Sequence, residues 1–182
     1  MTYKIKEIYY TLQGEGHHTG RPAVFCRFTG CNLWSGLEKD RDTAICRFCD
    51  TEFFGMDGQG GGKYTAAQLV QACLAAWPSS SSHPPFVVCT GGEPMLQVNE
   101  ALIDEFHAHK FEVACETNGT LPCPPNIDWI CMSPKANTDI ILNHVNEIKL
   151  VYPQADINPI EFNAFNADHL YLQPMDNIDQ AT

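Results

Sequence analysis

Six short apolar runs, each leaving into a polar or Gly/Pro-rich exit or a helical pattern, constrain this chain more than any other feature. Ala23 to Thr29, Phe86 to Thr90, Phe111 to Glu116, Trp129 to Ser133, Glu147 to Val151 and His169 to Gln173 read as short strands. Between the first two, Ala66, Leu69, Val70, Cys73, Leu74 and Trp77 are spaced for one face of a helix that Thr65 can cap. Val98, Ala101, Leu102 and Phe106 repeat the pattern before the third run. Strands alternating with helices pair in parallel through right-handed crossovers, so the expected fold is α/β, an open parallel sheet or a βα barrel. Six units are too few for a full eight-fold barrel.

The chain has 182 residues, 44% of them apolar, with no transmembrane run and no signal peptide, which predicts a single domain over residues 1–182 in the cytoplasm. Nine cysteines without secretory features point to a reducing compartment, where thiols serve as metal ligands or small core residues. Cys26, Cys89, Cys115 and Cys131 lie in the strand-like runs and are expected to be buried. A formal charge of -11 with only 11 Lys and Arg argues against a nucleic-acid footprint, which needs a basic stripe. An anionic small substrate would depend on a few placed cations, with Arg27, Lys135 and Lys149 beside strands as candidates.

In such folds, functional residues gather where strands end, because the loops there vary without disturbing the core. Five exits fit: the cysteines after the first run, Thr90 to Pro94, Glu116 to Gly119, Ser133 to Lys135, and Gln173-Pro174. The glycine-rich Asp57 to Lys63 lacks the phosphate-loop order and reads as a flexible connector. Ser79 to Pro85 reads as a loop with His83 in solvent.

Cys31, Cys46 and Cys49 stand in a C-x14-C-x2-C arrangement with no obvious fourth ligand; between Cys31 and Gly55 there is no histidine, and His17 and His18 precede the strand in a Gly-flanked loop. A structural zinc site takes four protein ligands, whereas an iron-sulfur cluster on three thiolates keeps one iron open for another ligand. A zinc knuckle closed by a distant residue is the alternative. Phe48 directly before the third cysteine, the Asp50-Thr51 pair after it, and Thr90-Gly91-Gly92-Glu93-Pro94 resemble the radical S-adenosylmethionine (SAM) enzymes. Their usual first gap is three residues, so the longer gap selects among subfamilies. "TLQGEG" from Thr11, "RPAVFCRFTGCNLW" from Arg21, "CDT", "TGGEP", "ETNG" and "SPK" together resemble the 7-carboxy-7-deazaguanine synthases over Tyr10 to Pro174.

That resemblance implies a partial (β/α)6-type barrel of the radical SAM kind, reduced in size. It implies that Cys31, Cys46 and Cys49 bind a 4Fe-4S cluster whose open iron is chelated by SAM, with Gly92 admitting the SAM amino group. Phe48, Cys49 and Asp50 would lie along SAM, Glu116 and Asn118 would reach its ribose, and Ser133, Pro134, Lys135, Gln173, Pro174, Met175 and Asp176 would complete its pocket. Leu12, Gln13, Gly14, Glu15 and Thr90 would contact a pterin substrate, Arg27 its carboxylate, and Thr51 a magnesium ion. The implied reaction takes 6-carboxy-5,6,7,8-tetrahydropterin to 7-carboxy-7-deazaguanine with loss of ammonia, on the pathway to queuosine. A flavodoxin-like electron donor and a homodimer are implied too, with neither nucleic acid nor membrane as partner.

Family members continue through another helix and tail beyond the position of Thr182, so residues 1–182 alone are expected to be weakly active or to borrow a partner subunit. A radical SAM activase acting on a glycyl-radical enzyme is a second reading; it would share the cluster and the GGEP element but not the TLQGEG and Arg27 side.

Overall fold

The computed structural model describes residues 1–175. Eight strands form one sheet: β1 (Tyr3–Leu12), β2 (Pro22–Phe28), β3 (Gly62–Tyr64), β4 (Phe86–Gly91), β5 (Glu112–Thr117), β6 (Trp129–Met132), β7 (Val145–Tyr152) and β8 (Ala167–Pro174). Their order is β3-β1-β2-β4-β5-β6-β7-β8. All six anticipated strands are present and run parallel from β2 to β8, while β1 pairs antiparallel with both β2 and β3. The fold is therefore α/β with a mostly parallel sheet.

Two α-helices accompany it, α1 (Ala66–Ala76) and α2 (Glu100–Ala108), both where the apolar spacing placed them. Thr65 caps α1 in a capping box with Gln68, and Asn99 caps α2 by accepting from Leu102 N, so each helix start has its free N–H groups met locally. Strand alternation divides the packing. Val87 and Cys89 of β4 face the helices with Leu69, Val70, Leu102, Ile103 and Phe106, whereas Phe86 and Val88 face the other side with Ala23 and Ala114. Cys26, Cys89, Cys115 and Cys131 are all buried, as expected of small core thiols.

The strand set is complete and the helix set is not. The crossovers from β5 to β6 and from β6 to β7 are loops, and a short 3₁₀ helix (Pro159–Ala164) stands between β7 and β8. In place of helices, Ile140, Leu142, Phe162 and Phe165 pack against Met132, Val145 and Ile148, and Leu170 and Leu172 of β8 are exposed. No helix among the described residues is long and apolar enough to cross a membrane.

One expectation is corrected. The glycine-rich segment is not a loose connector: Gly58 N donates to Lys6 O at 3.1 Å, Ile8 N donates to Gln59 O at 2.7 Å, and the segment ends in β3. A Cβ at Gly61 would lie 2.4 Å from Met56 O and 2.5 Å from Lys6 O, so glycine is required there for backbone to pack on backbone. His83 is exposed in its loop as expected.

The α2 face sets the expected stability of this layer. Phe106 is fully buried and meets Phe111 edge to face at 5.3 Å. Phe106→Ala should lower unfolding free energy by about 3–5 kcal/mol, and Leu172→Ala by less than about 0.5 kcal/mol, in urea titrations followed by circular dichroism.

Candidate active site

The parallel strands deliver their C-terminal ends to one rim, and a cleft of about 690 Å³ opens there. Every one of the five anticipated exits reaches it. Cys31, Cys46, Cys49, Phe48, Asp50 and Thr51 form one wall with Gly92 and Asn118; Leu12, Gln13, Gly14, Glu15, Arg27 and Thr90 form the other with Glu116. Ser133, Lys135, Gln173, Pro174 and Met175 close the far end. Pro134 is buried behind this wall, its carbonyl accepting from Gln154 Nε2 at 3.3 Å, and Asp176 lies outside the described residues.

The cysteine wall is tied to the strand exits by backbone contact. Glu93 N donates to Gly30 O at 2.8 Å. A Cβ on Gly92 would lie 2.1 Å from Gly30 O and 3.0 Å from Cys31 Cβ, so only glycine lets the β4 exit seat against the first cysteine. Glu93 itself is fully buried and accepts from Met95 N (3.0 Å), Thr117 Oγ1 (2.9 Å) and Asn118 N (2.8 Å). It staples the exits of β4 and β5 together, while burial pushes its pKa up. Asn118 Nδ2 donates to Asn32 Oδ1 at 3.0 Å, carrying the same staple into the cysteine loop.

The donor set suits an iron-sulfur cluster. Three soft thiols face the cleft, with Cys31 Sγ accepting from Leu33 N at 3.4 Å. A hydrogen bond from Cys46 holds Cys49 down at about 6 and raises Cys46 in turn. Lys135 Nζ stands 5.8 Å over the Phe48 ring, bonded to Ser133 O and Oγ at 2.7 Å each, and its burial pulls its pKa down. Among the described residues no three His, Cys, Asp or Glu gather closely enough to hold a single metal ion. Thr51 brings a hydroxyl, 3.3 Å from Asp50 Oδ1, as the oxygen donor of that wall. His17 and His18 stand apart from the thiols, in a stack with Trp129 and His169 under the sheet interior.

The opposite wall is ionic. Arg27 gives Nε to Glu7 Oε1 at 2.8 Å and Nη2 to Tyr9 Oη at 3.0 Å, which fixes its fork at the cleft. Lys149, read from sequence only as a candidate beside a strand, is 4% exposed and bridges Glu116 Oε2 at 2.6 Å and Glu15 Oε2 at 2.7 Å. Gln13 Nε2 donates to Glu116 Oε1 at 2.9 Å, so both oxygens of Glu116 already have protein partners. Burial disfavours the Glu116 carboxylate, but Lys149 outweighs that and holds its pKa below the ordinary value; Lys149 is correspondingly raised. Sequence reasoning gave Tyr9 no role and Glu93 none beyond its place in the GGEP element. For Lys149 the signal was available, since strand alternation puts residues 147, 149 and 151 on one face.

No protein-family model matches the chain. Among curated proteins, it is 54% identical over 177 residues to the 7-carboxy-7-deazaguanine synthase of Burkholderia multivorans, covering 97% of this chain and 84% of that one. It is 52% identical over 182 residues to the protein of the same name from Bradyrhizobium diazoefficiens, covering 100% and 86%. The chain belongs to the 7-carboxy-7-deazaguanine synthase family. Among solved structures it resembles QueE from Escherichia coli, with a TM-score of 0.72 and 27% identity over 100% of this chain and 86% of that one. Membership makes it a radical SAM enzyme, and a lyase by class.

The ionic wall has a measurable consequence. Because the folded pKa of Glu116 is depressed, its contribution is full above the unfolded carboxylate pKa of about 4.3 and is lost as pH falls through the folded value. Lys149→Met leaves that carboxylate unpaired, so stability near neutral pH should fall by on the order of 3 kcal/mol. The deficit should shrink as pH falls, because without Lys149 burial leaves the Glu116 carboxyl easier to protonate in the folded state than in the unfolded one, read as melting temperatures of variant and parent converging toward acid pH.

Proposed function

We propose that the cleft converts 6-carboxy-5,6,7,8-tetrahydropterin into 7-carboxy-7-deazaguanine and ammonia, a step toward queuosine, and that the curved sheet is a reduced, partly closed barrel of the radical SAM kind. The observation that carries the reading is convergence. Apart from Pro134 and Asp176, the cluster, cofactor and substrate residues implied by the sequence motifs line one cleft, the thiols on one wall and Arg27 on the other. The product and ammonia together hold the atoms of the substrate, so the net reaction needs no further oxidant or reductant.

In this reading Cys31, Cys46 and Cys49 hold a 4Fe-4S cluster, and Gly92, Glu116, Asn118, Ser133 and Gln173 border SAM. When bound there, the cluster and SAM would supply radical hydrogen-atom chemistry at C6 of the substrate. The protein's own part is placement and exclusion of water. Gly92 offers backbone where a side chain would block the approach of the SAM amino group. Arg27, already held by Glu7 and Tyr9, presents its remaining N–H groups to the substrate carboxylate as a preset fork. Leu12 and Gly14 meet the pterin edge with backbone groups, and the Thr90 hydroxyl adds a contact. The Thr51 hydroxyl would be the protein's ligand to magnesium, a cation that prefers hard oxygen donors. Lys149 keeps Glu116 ionised and holds both Glu15 and Glu116 still, so the pterin-facing rim is formed before substrate arrives. A flavodoxin-like reductant and a homodimer complete the proposal. The TLQGEG side and Arg27 favour this reaction over activation of a glycyl-radical enzyme.

The test is anaerobic incubation of reconstituted protein with SAM, reductant, magnesium and the carboxytetrahydropterin, scored for the deazaguanine. Product formation is expected, together with iron and not zinc in the anaerobically purified protein; SAM cleavage without product would sink the substrate assignment. Arg27→Gln should raise KM for the pterin by roughly tenfold to a hundredfold, the size of one lost charged hydrogen bond, with a smaller change in kcat.

A further inference from the structure

The segment between the first two cysteines carries a device that the reaction does not explain. Arg41 sits in a short 3₁₀ helix (Glu38–Thr43) inside the cysteine loop, and its guanidinium is bonded on several sides. Nε donates to Glu38 Oε2 at 2.7 Å and Nη2 to Glu38 Oε1, a two-pronged pair. Nη1 donates to Arg47 O at 2.7 Å and to Cys49 O at 3.0 Å, and the guanidinium lies 4.1 Å over the Trp34 ring. Trp34 is itself buried and meets Phe53 edge to face at 5.5 Å, with Nε1 donating to Leu37 O at 3.3 Å.

One side chain therefore gathers two carbonyls of the Cys46–Cys49 segment, those of Arg47 and Cys49, and pins them to a floor of packed aromatics. Those carbonyls have no sheet or helix partner, because 44–53 is irregular backbone. A single-pronged donor could satisfy one of them; the planar fork satisfies two while its other edge is fixed by Glu38. From the far side Lys6, 5% exposed, holds Glu52 Oε1 and Asp57 Oδ1 at 2.7 Å each and Phe54 O at 3.1 Å.

We propose that Arg41, oriented by Glu38, is a positioning residue that presets the Cys46–Cys49 segment in its cluster-binding shape before any iron arrives. The proposal rests on the cluster reading given above. Without the fork, the two thiols still share one short segment but lose the tie that fixes their spacing against Cys31. Assembly would then have to order the loop, and SAM would meet an iron held less squarely.

Hydrogen exchange on the metal-free protein tests the first half independently of any cluster. In Arg41→Gln, amides of residues 45–51 should exchange on the order of tenfold faster while those of β4 and β5 keep the parent rates. Unchanged exchange in 45–51 overturns the proposal. Should Arg41→Gln loosen the whole molecule, Glu38→Gln carries the test, with a smaller local increase expected and no local increase overturning it. On the reconstituted protein, the electron paramagnetic resonance change on SAM addition should need several-fold more SAM in Arg41→Gln than in the parent, an effect that general destabilisation would not produce. An identical SAM titration rejects the second half. If the parent binds no iron, the cluster reading fails, while the exchange result still decides whether Arg41 orders the loop.

Discussion

The ion group of Lys149, Glu116 and Glu15 is the interaction on which the site's shape depends. Lys149 of β7 and Glu116 of β5 flank β6, while Glu15 lies in the loop after β1, toward the other end of the strand order. To bring them together the sheet must curve and the loop must fold across its hollow face. The loop does so along its length: Gln13 reaches Glu116, His17 N donates to Glu147 Oε2 at 3.1 Å, and the His17 ring stacks on His169 of β8 at 4.0 Å. A buried lysine with two carboxylates is a costly arrangement unless each charge is met, and here each is. The charges therefore select one curvature, and that curvature is what turns a row of strand ends into a cleft.

The same group explains how an acidic chain presents a cation-lined interior. With a net charge of -11, the bulk of the surface repels anions, yet Arg27, Lys135 and Lys149 all line the cleft. Two of the three are balanced by carboxylates, Arg27 by Glu7 and Lys149 by Glu15 and Glu116. Lys135 is bonded to Ser133 alone among the described residues, beside Phe48 and the thiols. Lys135 thus stands at the thiol end with no carboxylate among those residues bonded to it, where thiolates need compensation, while at the other end orientation comes from donors already fixed in place.

Much of this was legible in the chain because apolar runs, helix spacing and exit motifs are local signals. The six parallel strands, both helices, the Thr65 cap and the gathering of five exits on one rim all follow from them. What escaped was non-local or locally contradictory. β1 alternates until Lys6, which is buried, because the pairing register shifts between Ile5 and Glu7 and turns a lysine inward to meet Glu52 and Asp57. A charged residue in that place hides a strand. β3 is Gly-Lys-Tyr after a run of glycines, and glycine spacing that signals a loose loop equally permits tight backbone packing on Lys6 and Met56. Glu93 reads as part of a motif for binding, yet its carboxylate is wholly spent on joining two strand exits.

That division also accounts for the long first gap between cysteines. Cys31 is fixed by the end of β2 and by Gly92, and Cys49 by Arg41 from inside the loop and, through Glu52, by Lys6 from β1. When both ends of a loop are tied to rigid elements, the number of residues between them is free to grow, because closure entropy rises only slowly with length. The added residues are not slack: Trp34, Phe53 and the Arg41–Glu38 pair give them a small packed floor of their own. A three-residue gap reaches its geometry through shortness, whereas a fourteen-residue gap needs interior contacts to reach one. The length that set this chain apart from the common radical SAM spacing is therefore matched by residues whose structural task is to make that length harmless.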